Sequence, residues 1–303
     1  MDFAVWPAFD RSWDETLALA RFAEGHGYRS FWYADHMMAD RADGAPDASD
    51  AYDCWTILAA IGAAVPRVRL VSMVSPLTIH HPVVLAKRAT TVDHISGGRA
   101  VLGIGAGWQV NEHACYGFEL FEPKARVARF AEGFEIIHRL LRDDSVSFAG
   151  ESFTVTEGPF APKPVQSPLP ILVGGKGARM MRLTARYAQE WNTWGNPTQA
   201  RERLALLHRG CEAEGRDPAT LGKSVQAMLF LLNTQEEVDA LGEFGQGPNV
   251  MAGSAAFLQE QIGQYIELGF DEFAVPDFTL GDTPSARAEM MAKVHEEVVK
   301  PLM

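Results

Sequence analysis

Two residues that could move a proton stand side by side at the end of an aromatic segment. Asp35 and His36 follow residues 28–33, whose composition predicts a strand. A neutral imidazole can donate or accept a proton, and a neighbouring carboxylate can fix its tautomer. We therefore predict that His36 is catalytic and that Asp35 orients it or binds a ligand. The structural alternative is that Asp35 caps a loop and His36 lies on the surface.

Three alternating glycines form a second candidate feature. An apolar strand predicted at residues 99–104 runs directly into Gly103, Gly105 and Gly107, and Trp108 follows. A dinucleotide fingerprint needs glycine at the first, third and sixth positions, and Trp108 at the sixth position excludes it. A strand end without side chains either packs tightly or lets a flat ligand approach its backbone. The sequence leaves both alternatives open.

A glycine pair also precedes a predicted helix. Gly174 and Gly175 end a short apolar strand, and Lys176 comes directly before helical residues 178–187. Backbone N–H groups at a helix start bind phosphate, and a lysine adds positive charge. The string lacks the first glycine and the hydroxyl of a nucleotide-binding loop. It therefore predicts either another kind of anion site or a tight strand-to-helix turn.

Apolar and aromatic residues stand at two further strand ends. Met73 and Val74 end an apolar segment, which suits a wall behind a flat ring. We interpret Trp191 as a core residue and expect Trp194 at the wall of a pocket.

Two neighbouring histidines have a structural interpretation. His80 and His81 precede Pro82 at a helix start, which favours capping or packing. A metal site would need a third ligand beside Asp35 and His36, so we predict none.

The elements that position these residues alternate along the chain. Apolar segments predict strands at residues 3–6, 28–33, 68–74, 99–104, 171–173, 190–193, 224–232 and 272–275. Eight strands followed by helices, with no dinucleotide fingerprint, indicate an α/β fold of the (β/α)8 TIM-barrel type. Since barrel active sites lie at the carboxyl ends of the strands, we expect all candidate residues on one face.

Helical periodicity fills most of the intervening chain. Helices are predicted at residues 12–25, 52–65, 82–95, 124–142, 178–187, 198–214, 236–268 with an interruption at 245–248, and 284–299. The alternation breaks at residues 143–169, where two short strand patterns and several prolines predict an insertion between strands 4 and 5. We expect this insertion to cover the catalytic face.

Composition excludes several classes of function. The 303 residues suffice for one large barrel, so we interpret residues 1–303 as a single domain. Lys and Arg total 27 against 39 acidic residues, and the net charge of −12 argues against nucleic acid or an anionic membrane as a partner. The chain has no signal-peptide pattern, no apolar run of membrane-spanning length and no paired cysteine spacing. These features predict a cytoplasmic protein.

Several strings together resemble a known family. They are Phe31-Trp-Tyr-Ala-Asp-His36, the run from Leu85 to Arg99 that ends in Asp-His-Ile-Ser-Gly-Gly-Arg, Leu102-Gly-Ile-Gly-Ala-Gly-Trp108 with Glu112, and Ile171-Leu-Val-Gly-Gly175 with Ala185-Arg-Tyr-Ala188 and Trp191-Asn192. These strings resemble the bacterial luciferase-like monooxygenase and oxidoreductase superfamily of (β/α)8 barrels. They are most similar to the branch that uses the deazaflavin coenzyme F420, while related branches use FMN.

The resemblance implies where a cofactor would lie. Its ring would lie across the barrel mouth against a bulge at the end of strand three, often a non-proline cis peptide, which here is Met73-Val74. His36 would lie near the reactive ring carbon. The cofactor-binding candidates are Asp35, Met73, Val74, Gly107, Trp108, Asn111, Gly174, Gly175 and Lys176.

The resemblance also has one departure. Sugar-phosphate dehydrogenases of this family carry a catalytic glutamate where this chain has Trp108, so sugar-phosphate oxidation is not expected. We predict hydride transfer between F420 and a small organic substrate, with His36 as proton donor or acceptor. The expected substrate wall consists of Trp6, Phe9, Met37 and Trp108.

Three other functions remain as alternatives. An FMN-dependent monooxygenase fed by a separate reductase would use the same barrel, and so would a flavin-binding protein without turnover. A cofactor-free isomerase of sugar phosphates is disfavoured because carboxylate and lysine pairs are scarce at the strand ends. By analogy with the family, we expect a homodimer.

Overall fold

Eight parallel strands close into a barrel in the computed structural model, which describes residues 1–41 and 43–303. The strands are β1 Asp2–Trp6, β2 Ser30–Tyr33, β3 Arg69–Ser72, β4 Ala100–Gly105, β5 Ile171–Gly174, β6 Glu190–Trp194, β7 Gly222–Gln226 and β8 Glu272–Pro276. Each strand pairs with the next along the chain, and β8 pairs with β1 to complete the ring. The predicted TIM barrel is confirmed.

Helices surround this barrel. They are α1 Trp13–Gly25, α2 Cys54–Ala64, α3 Pro82–Ser96, α4 Val110–Tyr116, α5 Pro123–Leu140, α6 Ala178–Tyr187, α7 Pro197–Ala213, α8 Gln235–Ala240, α9 Gly242–Gly245, α10 Ala255–Glu267 and α11 Pro284–Val294. Capping and proline explain where several helices begin. The Ser12 hydroxyl accepts the Glu15 N–H at the start of α1, and proline is the first residue of α3, α5, α7 and α11.

Strand alternation divides the apolar core into two parts. Outward-facing residues such as Phe31, Leu102 and Trp191 pack against the helices. A smaller cluster, which includes Trp32 and Val101, fills the inside of the barrel. Because successive side chains on a strand face opposite ways, each strand serves both cores.

The structure corrects several boundaries. β7 ends at Gln226, and Met228–Leu231 leaves the barrel to pair with Val250–Gly253, a strand inside the region predicted as helical. A continuous apolar run has no period that distinguishes one long strand from two short ones. β3 ends at Ser72, before the short strand Ser75–Pro76, and α4 is a helix that the sequence reading did not predict.

The predicted insertion contains a hairpin. Its antiparallel strands Ser145–Ala149 and Thr154–Pro159 follow α5. The Glu132 carboxylate, midway along α5, accepts the N–H groups of Glu151, Ser152 and Phe153. The hairpin therefore packs against α5, and its Phe153 ring lies 5.4 Å from the ring of His81 at the start of α3. That the insertion covers the catalytic face stays a prediction. Across the described residues, no helix is long and apolar enough to cross a membrane.

Candidate active site at the carboxyl ends of the strands

His36 follows β2 at the barrel mouth, and its partner is Glu112 on α4. Its Nδ1 lies 3.2 Å from Glu112 Oε1, and the Met37 N–H donates to Glu112 Oε2 over 3.0 Å. Glu112 is only 1% exposed. Because a carboxylate only accepts hydrogen bonds, Nδ1 carries the proton in the neutral ring and Nε2 has a free lone pair. The geometry therefore presents His36 as a proton acceptor at Nε2.

Aromatic rings flank this imidazole. The Trp108 ring meets it edge to face at 5.6 Å, and the Phe9 ring lies 6.2 Å away. Trp108 is 56% exposed, and Met37 is exposed beside it. A large exposed apolar surface next to a polar group is typical of a binding site.

Asp35 is next to His36 in sequence but serves a different network. Its Oδ2 accepts the Ser75 hydroxyl and lies 2.9 Å from His80 Nε2. Arg88 lies 3.2 Å from the other ring nitrogen of His80. Burial raises the pKa of Asp35, but the charge and hydrogen bond of His80 and the Ser75 hydroxyl outweigh burial and lower that pKa below its ordinary value.

One sequence interpretation changes as a result. Glu112, and not Asp35, fixes the tautomer of His36. His80 is a buried partner of Asp35, whereas His81 caps α3 through Nδ1, as the sequence favoured. The sequence contained Glu112 in a matching string, but its pairing depends on α4, which was not predicted.

The side chain of Asn111 holds a loop in place. Its amide nitrogen donates to the carbonyls of Ala39 and Ala45 over 2.8 and 3.1 Å. Its Oδ1 accepts from Gln109 Nε2 and from the Glu112 N–H over 2.9 and 3.0 Å. Two donors and two lone pairs are thus engaged, so Asn111 positions Glu112. Its predicted cofactor contact stays a prediction.

The alternating glycines make room for the end of β3. A Cβ on Gly103 would lie 1.8 Å from the Ser72 carbonyl oxygen, and one on Gly105 would lie 2.7 Å from a Val74 methyl carbon. Gly107 has φ +88°, and its Cβ would lie 2.2 Å from the Thr78 hydroxyl oxygen. Of the two alternatives, tight packing therefore explains this string.

Val74 itself lies in a glycine cradle. Gly174 completes the cradle on β5, where a Cβ would lie 3.1 Å from a Val74 methyl carbon. Met73, which is buried inside the barrel, and half-buried Val74 are joined by a cis peptide bond, as the resemblance implies. The end of β3 is thus an apolar surface seated on glycines of β4 and β5.

The turn after β5 leads into α6 without a capping side chain. Trp191, fully buried as predicted, donates its indole N–H to the Gly175 carbonyl over 3.0 Å. Gly177 is the N-cap of α6, and Lys176 and Arg179 are exposed around it. Uncapped N–H groups and two cations form an anion-binding arrangement.

A second aromatic group lies at the mouth, where β1, β6 and β8 end. The Trp6 ring lies 5.2 Å from Trp194 and 5.0 Å from Phe278. Beside it, Asp277 accepts the Ala8 N–H over 2.7 Å and pairs with Arg11 at 3.1 Å. Burial raises the pKa of Asp277 against the opposing charge of Arg11. Sequence reasoning missed Asp277 and Phe278 because both follow β8 without a recognisable motif.

The structure thus brings the predicted residues to one face. His36, Trp108, Met73, Val74, Gly174 and Lys176 all lie at or just beyond the carboxyl ends of barrel strands. Among the described residues, no group of three or more His, Cys, Asp or Glu side chains is placed to hold a metal ion.

Comparison with known proteins gives consistent matches. The sequence model of the luciferase-like monooxygenase family matches residues 1–242. An F420-dependent glucose-6-phosphate dehydrogenase of Nakamurella multipartita is 34% identical over 206 residues, which are 67% of this chain and 59% of that protein.

Solved structures share the fold. The monooxygenase RslO1 from Streptomyces bottropensis superimposes with a TM-score of 0.82 at 20% identity, covering 100% of both chains. The F420-dependent tetrahydromethanopterin reductase of Methanopyrus kandleri gives 0.79 at 17% identity, covering 100% of this chain and 99% of its own. Sequence identities this low support only the barrel fold, so the chemistry must be argued from the residues of the site.

Proposed function

Because this chain belongs to the luciferase-like monooxygenase family, we propose that it is an oxidoreductase that transfers a hydride between coenzyme F420 and a small, uncharged organic substrate. The observation that carries this proposal is the bond between His36 Nδ1 and Glu112 at the barrel mouth, beside which no described residue forms a hydrogen bond with Nε2. The F420-dependent relative and the matching sequence strings favour F420 over FMN.

The residues of the mouth fit a phosphate-bearing planar cofactor. The uncapped start of α6, with Lys176 and Arg179, would hold phosphate. Met73 and Val74 would support the ring from below, where glycines keep the wall free of larger side chains. Gly107, Gly175 and Asp35 would contribute backbone or carboxylate contacts at the edge of the ring.

A bound deazaflavin would supply a two-electron carrier that accepts or donates a hydride. The chain's own residues perform the proton chemistry. His36 Nε2 would accept a proton from a substrate hydroxyl, and the buried Glu112 carboxylate would stabilise the imidazolium that forms. In the reverse direction the same atom would return the proton. Phe9 and Trp108 would exclude water from this transfer.

The charges at the mouth favour an uncharged substrate. The resemblance places Trp108 where sugar-phosphate dehydrogenases of the family carry a catalytic glutamate. Arg11, a cation near the mouth, is already paired with Asp277. The exposed surfaces of Met37 and Trp108 suit a substrate with an apolar body and one hydroxyl or carbonyl group.

Titration with two cofactors tests the choice of cofactor. We expect F420 to quench the tryptophan fluorescence of the purified protein at lower concentration than FMN. Tighter binding of FMN would favour the monooxygenase alternative. If neither binds, the redox proposal is wrong.

Replacement of His36 tests the proton role. In single-turnover reduction of F420 by accepted secondary alcohols, His36→Ala should slow the reaction by about 100-fold or more, the scale of general base catalysis. His208→Ala, an exposed histidine of α7, is the matched control and should react at the wild-type rate. An unchanged rate in His36→Ala would refute the assignment, and unchanged F420 binding would separate catalysis from affinity.

A further inference from the structure

A cavity of about 610 Å³ opens at the end of the barrel opposite His36. Its walls come from the amino ends of β1, β2, β3, β6, β7 and β8 and from the loop before β7. This volume lies within the range of small-molecule sites. The chemistry proposed for the mouth makes no use of this end of the molecule.

Ion pairs neutralise most of the charged side chains around this cavity. Arg29 pairs with Asp2 and Arg69 pairs with Glu190. Lys223 lies 3.9 Å from Asp271. One carboxylate on the cavity wall, that of Glu272, belongs to none of these pairs.

Glu272 is also the deepest of these acidic groups. It is 4% exposed, and within residues 1–41 and 43–303 its Oε1 has no hydrogen bond of good geometry, although the nearby Ser30 hydroxyl favours the charged carboxylate. Ala274, two residues along β8, belongs to the cluster inside the barrel, so Glu272 faces the same interior at its lower end. A buried carboxylate oxygen without a full hydrogen bond is costly unless a further donor or a cation reaches it.

The same burial affects the protonation of Glu272. Burial raises its pKa to about 7, against the opposing effects of Ser30 and Arg69. Glu190 adds to the rise, and Arg29 opposes it. A cation bound beside Glu272 would lower this pKa and release a proton near neutral pH.

The rest of the wall indicates the kind of cation. Ile266, which is 40% exposed, gives the same cavity apolar surface, and the largely buried Leu221 and Phe270 also line it. A bare metal ion would gain nothing from these side chains, and the described residues place no three metal-ligating groups together. An organic cation with a compact apolar body would use both the charge and the surface.

We propose that this cavity binds a small organic cation, a primary ammonium attached to a compact apolar group, with Glu272 as its counter-ion. The site is separate from the mouth, so its occupation does not depend on the oxidoreductase proposal.

Calorimetric titration with phenethylamine tests this site, with 2-phenylethanol as the uncharged probe of similar shape. At pH 8 we expect the wild-type protein to bind the amine at least about tenfold more tightly than the alcohol. Glu272→Gln should weaken amine binding at least about tenfold. Asp271→Asn removes an exposed carboxylate at the same cavity and serves as the matched control, with affinity within about twofold of wild type.

Three results would overturn the proposal: no amine binding at millimolar concentration, equal affinity for amine and alcohol, or equal amine affinity in Glu272→Gln. A second measurement needs no variant. The wild-type protein is titrated with phenethylamine at pH 7 in two buffers that differ in ionisation enthalpy, and the difference in the measured heat should show proton release. The affinity for phenethylamine should also fall about tenfold between pH 8 and pH 6. Binding without proton release would also contradict the role of Glu272.

Discussion

At the level of single residues, the proton chemistry of the mouth depends on a pair 76 positions apart in sequence. Asp35 stands next to His36, yet its Oδ2 is engaged by Ser75 and His80. The carboxylate that reaches Nδ1 is Glu112, which is held by the N–H of Met37 on the same side. Adjacent residues in an extended segment point to opposite sides, so sequence neighbours seldom share a partner.

Glu112→Gln should change the tautomer of His36. The glutamine oxygen can still accept the Met37 N–H, but its NH2 group would then face Nδ1 as a donor and move the imidazole proton to Nε2. Proton acceptance at Nε2 is lost, and we expect the single-turnover rate with an alcohol to fall about 100-fold or more. Nitrogen NMR of His36 should report the new tautomer directly.

Glu119→Gln provides the control for this exchange, because Glu119 is an exposed residue on the segment after α4. It should leave both the rate and the His36 spectrum unchanged. If Glu112→Gln keeps the Nδ1–H tautomer and the wild-type rate, Glu112 does not position His36.

At the level of elements, the glycines of β4 leave the space in which the end of β3 packs. Gly103 allows the Ser72 carbonyl to approach, and the Ser72 hydroxyl donates to the Gly103 carbonyl over 3.0 Å and accepts its N–H over 2.9 Å. Gly105 and Gly174 leave space for Val74. The glycines therefore shape the wall that a ring would contact.

Gly103→Ala should destabilise the barrel strongly. The new Cβ would meet a backbone oxygen at 1.8 Å, which cannot move without shifting β3. We expect a loss of about 3 kcal/mol or more, the upper end of overpacking effects, measured as a lower unfolding midpoint in urea. Gly263→Ala in α10 meets nothing within 4 Å and should be neutral or gain up to about 1 kcal/mol. Equal stability of the two variants would contradict this packing account.

At the level of the whole molecule, the barrel keeps its charged groups at two separate ends. The mouth carries His36 and Glu112, and the opposite end carries Glu272 among paired charges. Between them lies an apolar layer that includes Trp32, Val71 and Val101. Because Glu272 is buried, water screens its charge only weakly, and its ionisation changes the stability of the whole protein.

Glu272 should make the stability of the protein depend on pH. Its folded pKa of about 7 lies above the ordinary value of 4.5, so its stabilising contribution is fully present below pH 4.5 and is lost as pH rises through 7. The wild-type free energy of unfolding should fall by up to about 3 kcal/mol across this window because of this group. Urea unfolding at pH 5 and pH 8 measures the change.

Glu272→Gln cannot ionise and should lose less stability between the same two pH values. The comparison with wild type isolates Glu272, because the other titrating groups, including Asp277, are common to both proteins. If wild type and variant lose the same free energy, the raised pKa of Glu272 is wrong.

Much of this fold could be predicted from the sequence because its information is local. Apolar segments alternating with helical periodicity located eight strands, and the predicted bounds of α6 agree with Ala178–Tyr187. Local motifs also located His36 and the glycine turns. The sequence did not predict that Met228–Leu231 leaves the barrel, because a strand buried inside a barrel and one buried outside it have the same apolar sequence pattern.

The sequence by itself determined the barrel, its family and the face on which the candidate residues lie, since these follow from periodicity and short strings. Only the tertiary structure decided which residues meet. It joined His36 to Glu112 and Asp35 to His80, and it placed Val74 on three glycines. At the far end of the barrel, among the described residues, it also left Oε1 of Glu272 without a hydrogen bond of good geometry. Such pairings depend on the distance between separate strands and helices, which closure of the barrel sets and no local pattern encodes.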